Sequence, residues 1–148
     1  MMTPRNAYRE NNIRGASANR LVVLLYEQLI QDLTQAMHAI EQNDIEMRTA
    51  RLNHAILVIA HLQSPLDFAN GGKVAQDLDH FYNVLRQNLV QIQFQPSKLA
   101  LRQQITDLLA VREAWIEVER VSQRLAAENS TVATATASEP GPARAWKG

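Results

Sequence analysis

The sequence predicts an all-α protein: an antiparallel, up-down-up-down four-helix bundle with a mobile N-terminal segment and a disordered C-terminal tail. Three observations carry this. Glycine and proline are few, the stretches between them repeat apolar residues at helical spacing, and the connections are short. The 148 residues include five Gly and five Pro. They fall at Pro4, Gly15, Pro65, Gly71, Gly72, Pro96, Pro140, Gly141, Pro142 and Gly148. Ala16 to Ser64, Lys73 to Gln95 and Ser97 to Glu139 contain neither. Long gaps between these two breakers, rich in Ala, Leu, Gln, Arg and Glu, suit helices. β-branched and aromatic residues do not gather as strands require.

The first gap holds two helices. In the first, Val22, Leu25, Leu29, Leu33, Ala36 and Ile40 recur at helical spacing, and Leu21, Leu24, Ile30 and Met37 widen the stripe beyond one face. Ser17, after Gly15 and Ala16, is read as its N-cap. Asn43-Asp44 breaks the gap, and Asn43 with Glu46 resembles a capping box for the next helix. The second stripe is Leu52, Ile56, Ile59 and Leu62. Ser64-Pro65 ends it, because a residue before Pro disfavours α geometry. Asn70-Gly71-Gly72 is read as the following loop. The third stripe is Val74, Leu78, Phe81, Leu85, Leu89 and Ile92. Pro96 or Ser97 opens the fourth helix, whose stripe runs Leu101, Ile105, Leu108, Val111, Trp115, Val118 and Leu125. Short connections make neighbouring helices antiparallel, and four inward stripes close one core.

Residues 1–16 are polar apart from Tyr8 and Ile13 and are expected to form a mobile segment. Residues 17–126 form the bundle. Residues 127–148 lose periodicity, and the run from Glu128 to Pro142 holds no Leu, Ile or Phe. Such a segment buries too little apolar surface to offset the entropy of ordering. Trp146 is read as an incidental exposed side chain in preference to a docking motif.

Composition excludes several classes. Fifteen Lys+Arg balance fifteen Asp+Glu, which argues against a dedicated nucleic-acid partner. The absence of Cys removes disulfides, thiolate metal sites and cysteine nucleophiles. No apolar run approaches the roughly 20 residues that span a bilayer, so no membrane insertion is expected. The N-terminus lacks the apolar stretch of a signal peptide, and a cytoplasmic location is expected.

No catalytic constellation stands out. His38, His54, His61 and His80 lack the Glu three residues upstream that metal-binding bundles use. His54 and His61 are seven apart and are the pair a metal-binding bundle enzyme would use. Structural roles are favoured, with no metal and no cofactor. No nucleophile elbow or phosphate loop is present, and Asn70-Gly71-Gly72-Lys73 follows a helix, not a strand. The protein is read as a non-enzyme. What remains is binding surface, above all the wide apolar face of the first helix. That face suits deeper burial, a dimer interface or a groove for another helix.

Several stretches, taken in order, resemble the family of the flagellar secretion chaperone FliS. Tyr8 precedes Gly15-Ala16-Ser17-Ala18, which resembles the family's Thr-Ala-Ser-Pro motif. Leu21-Val22-Val23-Leu24-Leu25-Tyr26-Glu27 looks like its Leu-Val-x-x-Leu-Tyr helix, and Ala39-Ile40-Glu41-Gln42-Asn43-Asp44 like its Ala-Ile-Glu-x-x-Asp turn. Leu66-Asp67 with Gly71-Gly72-Lys73-Val74-Ala75 resembles its Leu-Asp…Gly-Gly-x-x-Ala loop. Leu78 with Phe81-Tyr82 and Arg112-Glu113-Ala114-Trp115 are similar to two later motifs. The likeness runs from about residue 6 to about residue 125.

The resemblance implies a chaperone that binds the disordered C-terminal segment of flagellin in an apolar groove. Binding would prevent premature polymerisation and keep flagellin competent for export, with the flagellar export apparatus as a second partner. It implies that the N-terminal segment covers part of that groove, making Tyr8 and Ile13 candidate plugs. Ala16, Ser17, Leu21, Leu66 and Phe81 are further candidate partner-binding residues. Tyr26 and Tyr82 are candidates for the groove edge, since a buried Tyr must find a partner for its hydroxyl. The competing reading is a structural helical adaptor that dimerises through the first helix. The expected state is monomer or weak homodimer.

Overall fold

The computed structural model describes the backbone of residues 4–137 and the side chains of residues 18–131. Four helices follow one another: α1 (Pro4–Glu41), α2 (Ile45–Gln63), α3 (Phe68–Phe94) and α4 (Lys98–Ala137). Among the described residues there is no strand. Residues 21–114 form one compact unit, and the described residues before Leu21 and after Ala114 cluster as a second.

Within residues 21–114, cross-helix bonds set the direction of each helix. On α1 and α2, Asp32 bonds His54 while Gln35, one turn on, bonds Arg51, one turn back. On α2 and α3, Asn53 pairs with Gln93 and Gln63 with Asn83. On α1 and α4, Glu27 pairs with Arg112 and Glu41 with Lys98. In each pair one position rises as its partner falls, so these neighbours run antiparallel. Tyr26 meets Tyr82 across the α1–α3 diagonal. The result is an antiparallel up-down-up-down four-helix bundle.

The helix ends are built from side chains at their expected places, with shifts. Asn43 has φ 54°, a left-handed conformation that Asn tolerates. The Asp44 N–H donates to the Ala39 carbonyl at 2.8 Å and the Asn43 N–H to that of Ile40 at 3.2 Å. This pair of bonds is a Schellman closure of α1. The N-cap of α2 is therefore Asp44, which accepts from the Met47 N–H at 2.9 Å, and not Asn43. Ser97 caps α4 by accepting from the Ala100 N–H at 3.1 Å.

Two helices extend past their expected limits. α1 starts at Pro4, so Ser17 lies inside it and is no cap, and Gly15 does not break it. α4 continues to Ala137, well beyond the last leucine of its stripe. Ala and polar residues of good helix propensity allow a helix to run past its apolar stripe. Helix ends thus do not mark the divisions at 16/17 and 126/127. Residues 138–148, including Trp146, lie outside the described residues.

The start of α3 also differs. Asp67 caps it, accepting from the N–H groups of Ala69 and Asn70, each at 3.1 Å. The segment from Phe68 is thus helical where a loop was expected, and the break narrows to Gly72, at φ 54°, ψ −130°. Only Gly adopts that pair readily. Gly71 is held for another reason: a Cβ there would lie 2.9 Å from the Ala75 Cβ.

The core draws buried apolar side chains from all four helices. Leu29, Leu33, Leu52, Ile59, Leu85, Leu89, Leu101 and Leu108 are fully buried or nearly so. Each such side chain is worth roughly 1.5–3 kcal/mol of burial. Leu52, Ile59 and Leu62 of α2, Leu85, Leu89 and Ile92 of α3 and Leu101 and Leu108 of α4 are buried as their stripes predict, whereas Ile56 and Ile105 are half-buried. In α1 the buried row begins Val23, Tyr26, Leu29, and Val22 and Leu25 are only half-buried. In α3, Ala75 and Tyr82 are buried, Val74 is exposed, and Leu78 and Phe81 are half-buried.

Candidate partner-binding surface

The register of α1 against α2 decides what lies beside the first helix. Asp32 sits level with His54, so the turns before it carry Leu24 and Leu21 to the level of Leu62 through Leu66. The α2–α3 connection and the start of α3 occupy that same end of the unit. Large apolar side chains are left in solvent there: Leu21 56%, Leu24 53%, Phe68 49% and Val74 67% exposed. Leu66 is half-buried between them in sequence. Leu21 and Leu66, both expected at a binding surface, therefore come to one level of the fold. Leu24 on α1 and Phe68 and Val74 at the start of α3 are exposed towards the same end, although Leu24 and Val74 read in the sequence as parts of helical stripes.

Beneath this end, Tyr26 and Tyr82 close the core. Their hydroxyls are 2.7 Å apart, and the rings lie 6.3 Å apart between centroids. Tyr26 is 0% and Tyr82 1% exposed. Neither stands at a groove edge, which corrects the expectation for both. Each supplies the hydrogen-bond partner whose need argued against burial. Burial pushes the Tyr82 hydroxyl far above the ordinary phenol range, and the Tyr26 hydroxyl beside it adds to that shift. Phe81, half-buried, packs its ring 5.7 Å from that of Tyr82. The side chains of Tyr8, Ile13, Ala16 and Ser17 lie outside the described residues.

The polar centre of the unit lies at a residue outside the candidates drawn from the sequence. Asp32 is completely buried, the one buried polar side chain among the described residues. Its carboxylate accepts from His54 Nδ1 at 2.6 Å and from Gln28 Nε2 at 3.0 Å, and Arg51 lies 3.6 Å away. A carboxylate taken from water needs such partners. His54 is thereby committed to a structural bond. His61 is exposed. Among the described residues no group of three or more His, Asp or Glu is placed to hold a metal ion. A sequence signal did exist: Asp32 lies on the apolar side of α1, between Leu29 and Leu33.

A second polar seam joins α2 to α3. Gln63 donates to Asp79 at 3.0 Å and Asn83 at 2.9 Å, and accepts from Arg86. At the other end Gln93 donates to Asn53 at 3.1 Å. Arg48 reaches the Gln93 carbonyl at 3.5 Å, near the negative end of α3. These bonds hold the helices in register. None forms a nucleophile–base pair.

Comparison with known proteins shows the ancestry. The family model described as flagellar protein FliS matches residues 1–122. The chain belongs to the FliS family. The FliS flagellar secretion chaperone of Vibrio cholerae is 26% identical over 109 residues, which cover 74% of this chain and 80% of that protein. The one from Campylobacter jejuni is 29% identical over 113 residues, covering 76% and 88%. The FliS match takes in all of residues 21–114, and so the apolar end and the buried tyrosine pair. These FliS relatives carry the name of chaperones, not of enzymes. Among the described residues no helix is long and apolar enough to cross a membrane.

Proposed function

We propose that this protein is a flagellin export chaperone. It holds the disordered C-terminal segment of flagellin on the bundle and so keeps it from polymerising before export. The observation that carries this reading is the exposed apolar end, Leu21, Leu24, Phe68 and Val74, inside the family-matched region. Large apolar side chains exposed towards one end of a bundle offer a surface for an apolar partner. An amphipathic client segment that folds on binding buries roughly 1,000–3,000 Å², enough to offset its ordering cost. Tyr8, Ile13, Ala16 and Ser17 of the N-terminal segment serve as further partner-binding residues in this reading. Holding flagellin before export places the protein in the cytoplasm, next to the export apparatus as a further partner.

Titration calorimetry with the C-terminal segment of flagellin tests this. Binding at micromolar concentration or tighter supports it, and no heat at tens of micromolar ends it. The exposed Leu21 and Leu24 also suit the adaptor reading, in which α1 pairs with a second copy. Light scattering over a concentration series separates the two. A mass that doubles with concentration and no flagellin binding would favour the adaptor.

A further inference from the structure

One peptide step at the start of α3 is open to chemistry that the rest of the backbone resists. Asn70-Gly71 is the single asparagine–glycine step among the 148 residues. Glycine has no Cβ to shield its nitrogen from the preceding side chain. That nitrogen can attack the asparagine carboxamide carbon. The bond from Gly71 N to Asn70 Cγ forms and the Cγ–Nδ2 bond breaks. The Gly71 amide proton leaves with the Nδ2 group as ammonia. Water then opens the cyclic imide at either carbonyl, which yields Asp or isoaspartate at position 70. Asn70 and Gly71 are both exposed, so water reaches them.

In the folded chain both reacting groups are bonded to one residue. The Asn70 carboxamide donates to Asp67 Oδ2 at 2.7 Å. The Gly71 N–H donates to the Asp67 carbonyl at 2.7 Å. Asp67 Oδ1 holds the N–H groups of Ala69 and Asn70 as well. Attack requires the first two bonds to open together. On its other side the turn has weak support, since the backbone leaves helical geometry at Gly72. A single helical turn does not persist by itself. We propose that Asn70-Gly71 is a self-modification site, locked by Asp67 and released when this first turn of α3 frays.

Neither product fits back into the turn. Isoaspartate adds a methylene to the main chain where space is short: a Cβ on Gly71 would lie 2.9 Å from the Ala75 Cβ. Asp at position 70 sets a second carboxylate against that of Asp67, in place of the 2.7 Å bond. The modified turn therefore stays open. Phe68 and Val74, both exposed, flank it. That the change weakens client binding rests on the chaperone reading above. The chemistry at Asn70 does not.

The test is peptide-mapping mass spectrometry on the full chain held at mildly alkaline pH, with isoaspartate scored by enzymatic methylation. Conversion is expected at Asn70 and not at Asn53, Asn83 or Asn88, which precede His, Val and Leu. Asp67→Ala is expected to speed it about fivefold, the gain in local opening that loss of one N-cap brings. Gly71→Ala with Ala75→Gly places a Cβ beside the nitrogen and is expected to halt it. A peptide of residues 66–75 supplies the unlocked rate. The proposal is overturned by an intact Asn70 in Asp67→Ala after the peptide has converted. It is equally overturned by a folded wild type that converts as fast as the peptide. Calorimetry of aged wild type against the aged double variant reads the consequence, with weaker flagellin-segment binding expected of the wild type. Equal binding by the two removes the link to the client. Binding by neither, fresh or aged, rejects the chaperone reading and leaves the modification standing.

Discussion

Tyr26 and Tyr82 share a hydrogen bond of 2.7 Å across the diagonal of the bundle, each the solvent-free partner of the other. A polar contact thus occupies a place where two aliphatic side chains would pack without conditions. Tyr26→Phe strands the Tyr82 hydroxyl in the core and is expected to cost about 1–3 kcal/mol. Replacing both by Phe should recover part of that loss, because no unpartnered hydroxyl remains at Tyr82. Urea denaturation of the two single variants and the double one measures the coupling.

The same pair sets a limit at high pH. The ordinary Tyr value is 10.0, and burial holds Tyr82 far above it. Above that value the unfolded chain releases a proton that the folded protein retains. Stability contributed by the neutral hydroxyl is therefore complete below pH 10 and falls as pH rises, by up to about 1.4 kcal/mol per unit. Tyrosinate absorbance should show Tyr82 ionising only together with loss of helical circular dichroism. Ionisation of all three tyrosines in a fully helical protein would contradict this.

At low pH the cap of α3 matters instead. Bonds from Asn70 and Ala69 hold the Asp67 carboxyl below its ordinary 3.8. Its contribution is present above that value and disappears as pH falls through the lower folded one. Asp67→Asn is expected to flatten the acid limb of the unfolding profile. An unchanged limb would show that the cap adds nothing.

Gly71 and Gly72 are adjacent but constrained differently. Gly71→Ala collides with Ala75, so Ala75→Gly should rescue it. At Gly72 a Cβ meets nothing within 4 Å, yet the backbone is left-handed. Gly72→Ala should therefore cost about 1–3 kcal/mol that no neighbouring substitution restores. Thermal melts of Gly71→Ala, Gly71→Ala with Ala75→Gly, and Gly72→Ala decide between steric and conformational cost.

Binding and stability should separate at the apolar end. Leu24→Asp is expected to weaken the flagellin segment about tenfold or more, with a nearly unchanged melting temperature. Tyr82→Ala should do the reverse, since its ring is buried. Calorimetry and melting of both variants provide the check.

Much of the fold was legible because α-helices leave a periodic trace. Leu52, Ile59, Leu62, Leu85, Leu89, Leu101 and Leu108 were all readable as core from spacing alone. The phase of early α1 and α3 was not, because it depends on a tertiary bond. Once Tyr26 finds Tyr82, α1 turns to bury it and leaves Leu21 and Leu24 in solvent. Spacing could not reveal that pairing, and counting apolar residues favoured the leucines. Asp32 escaped notice for a related reason: its partner His54 is 22 positions away. Of the candidate surface, Leu21 and Leu66 were legible through family motifs, whereas Phe68 waited on the cap at Asp67.

The bridge from Glu27 to Arg112 spans 85 positions of sequence. It joins the first helix to the last, and Lys98 does the same for Glu41. A ribosome delivers these partners in order, so α1 leaves the exit tunnel long before its α4 wall exists. The nascent chain carries an unfinished flank through most of its synthesis. Completion comes late and all at once, when the region around Arg112 emerges and closes the ring.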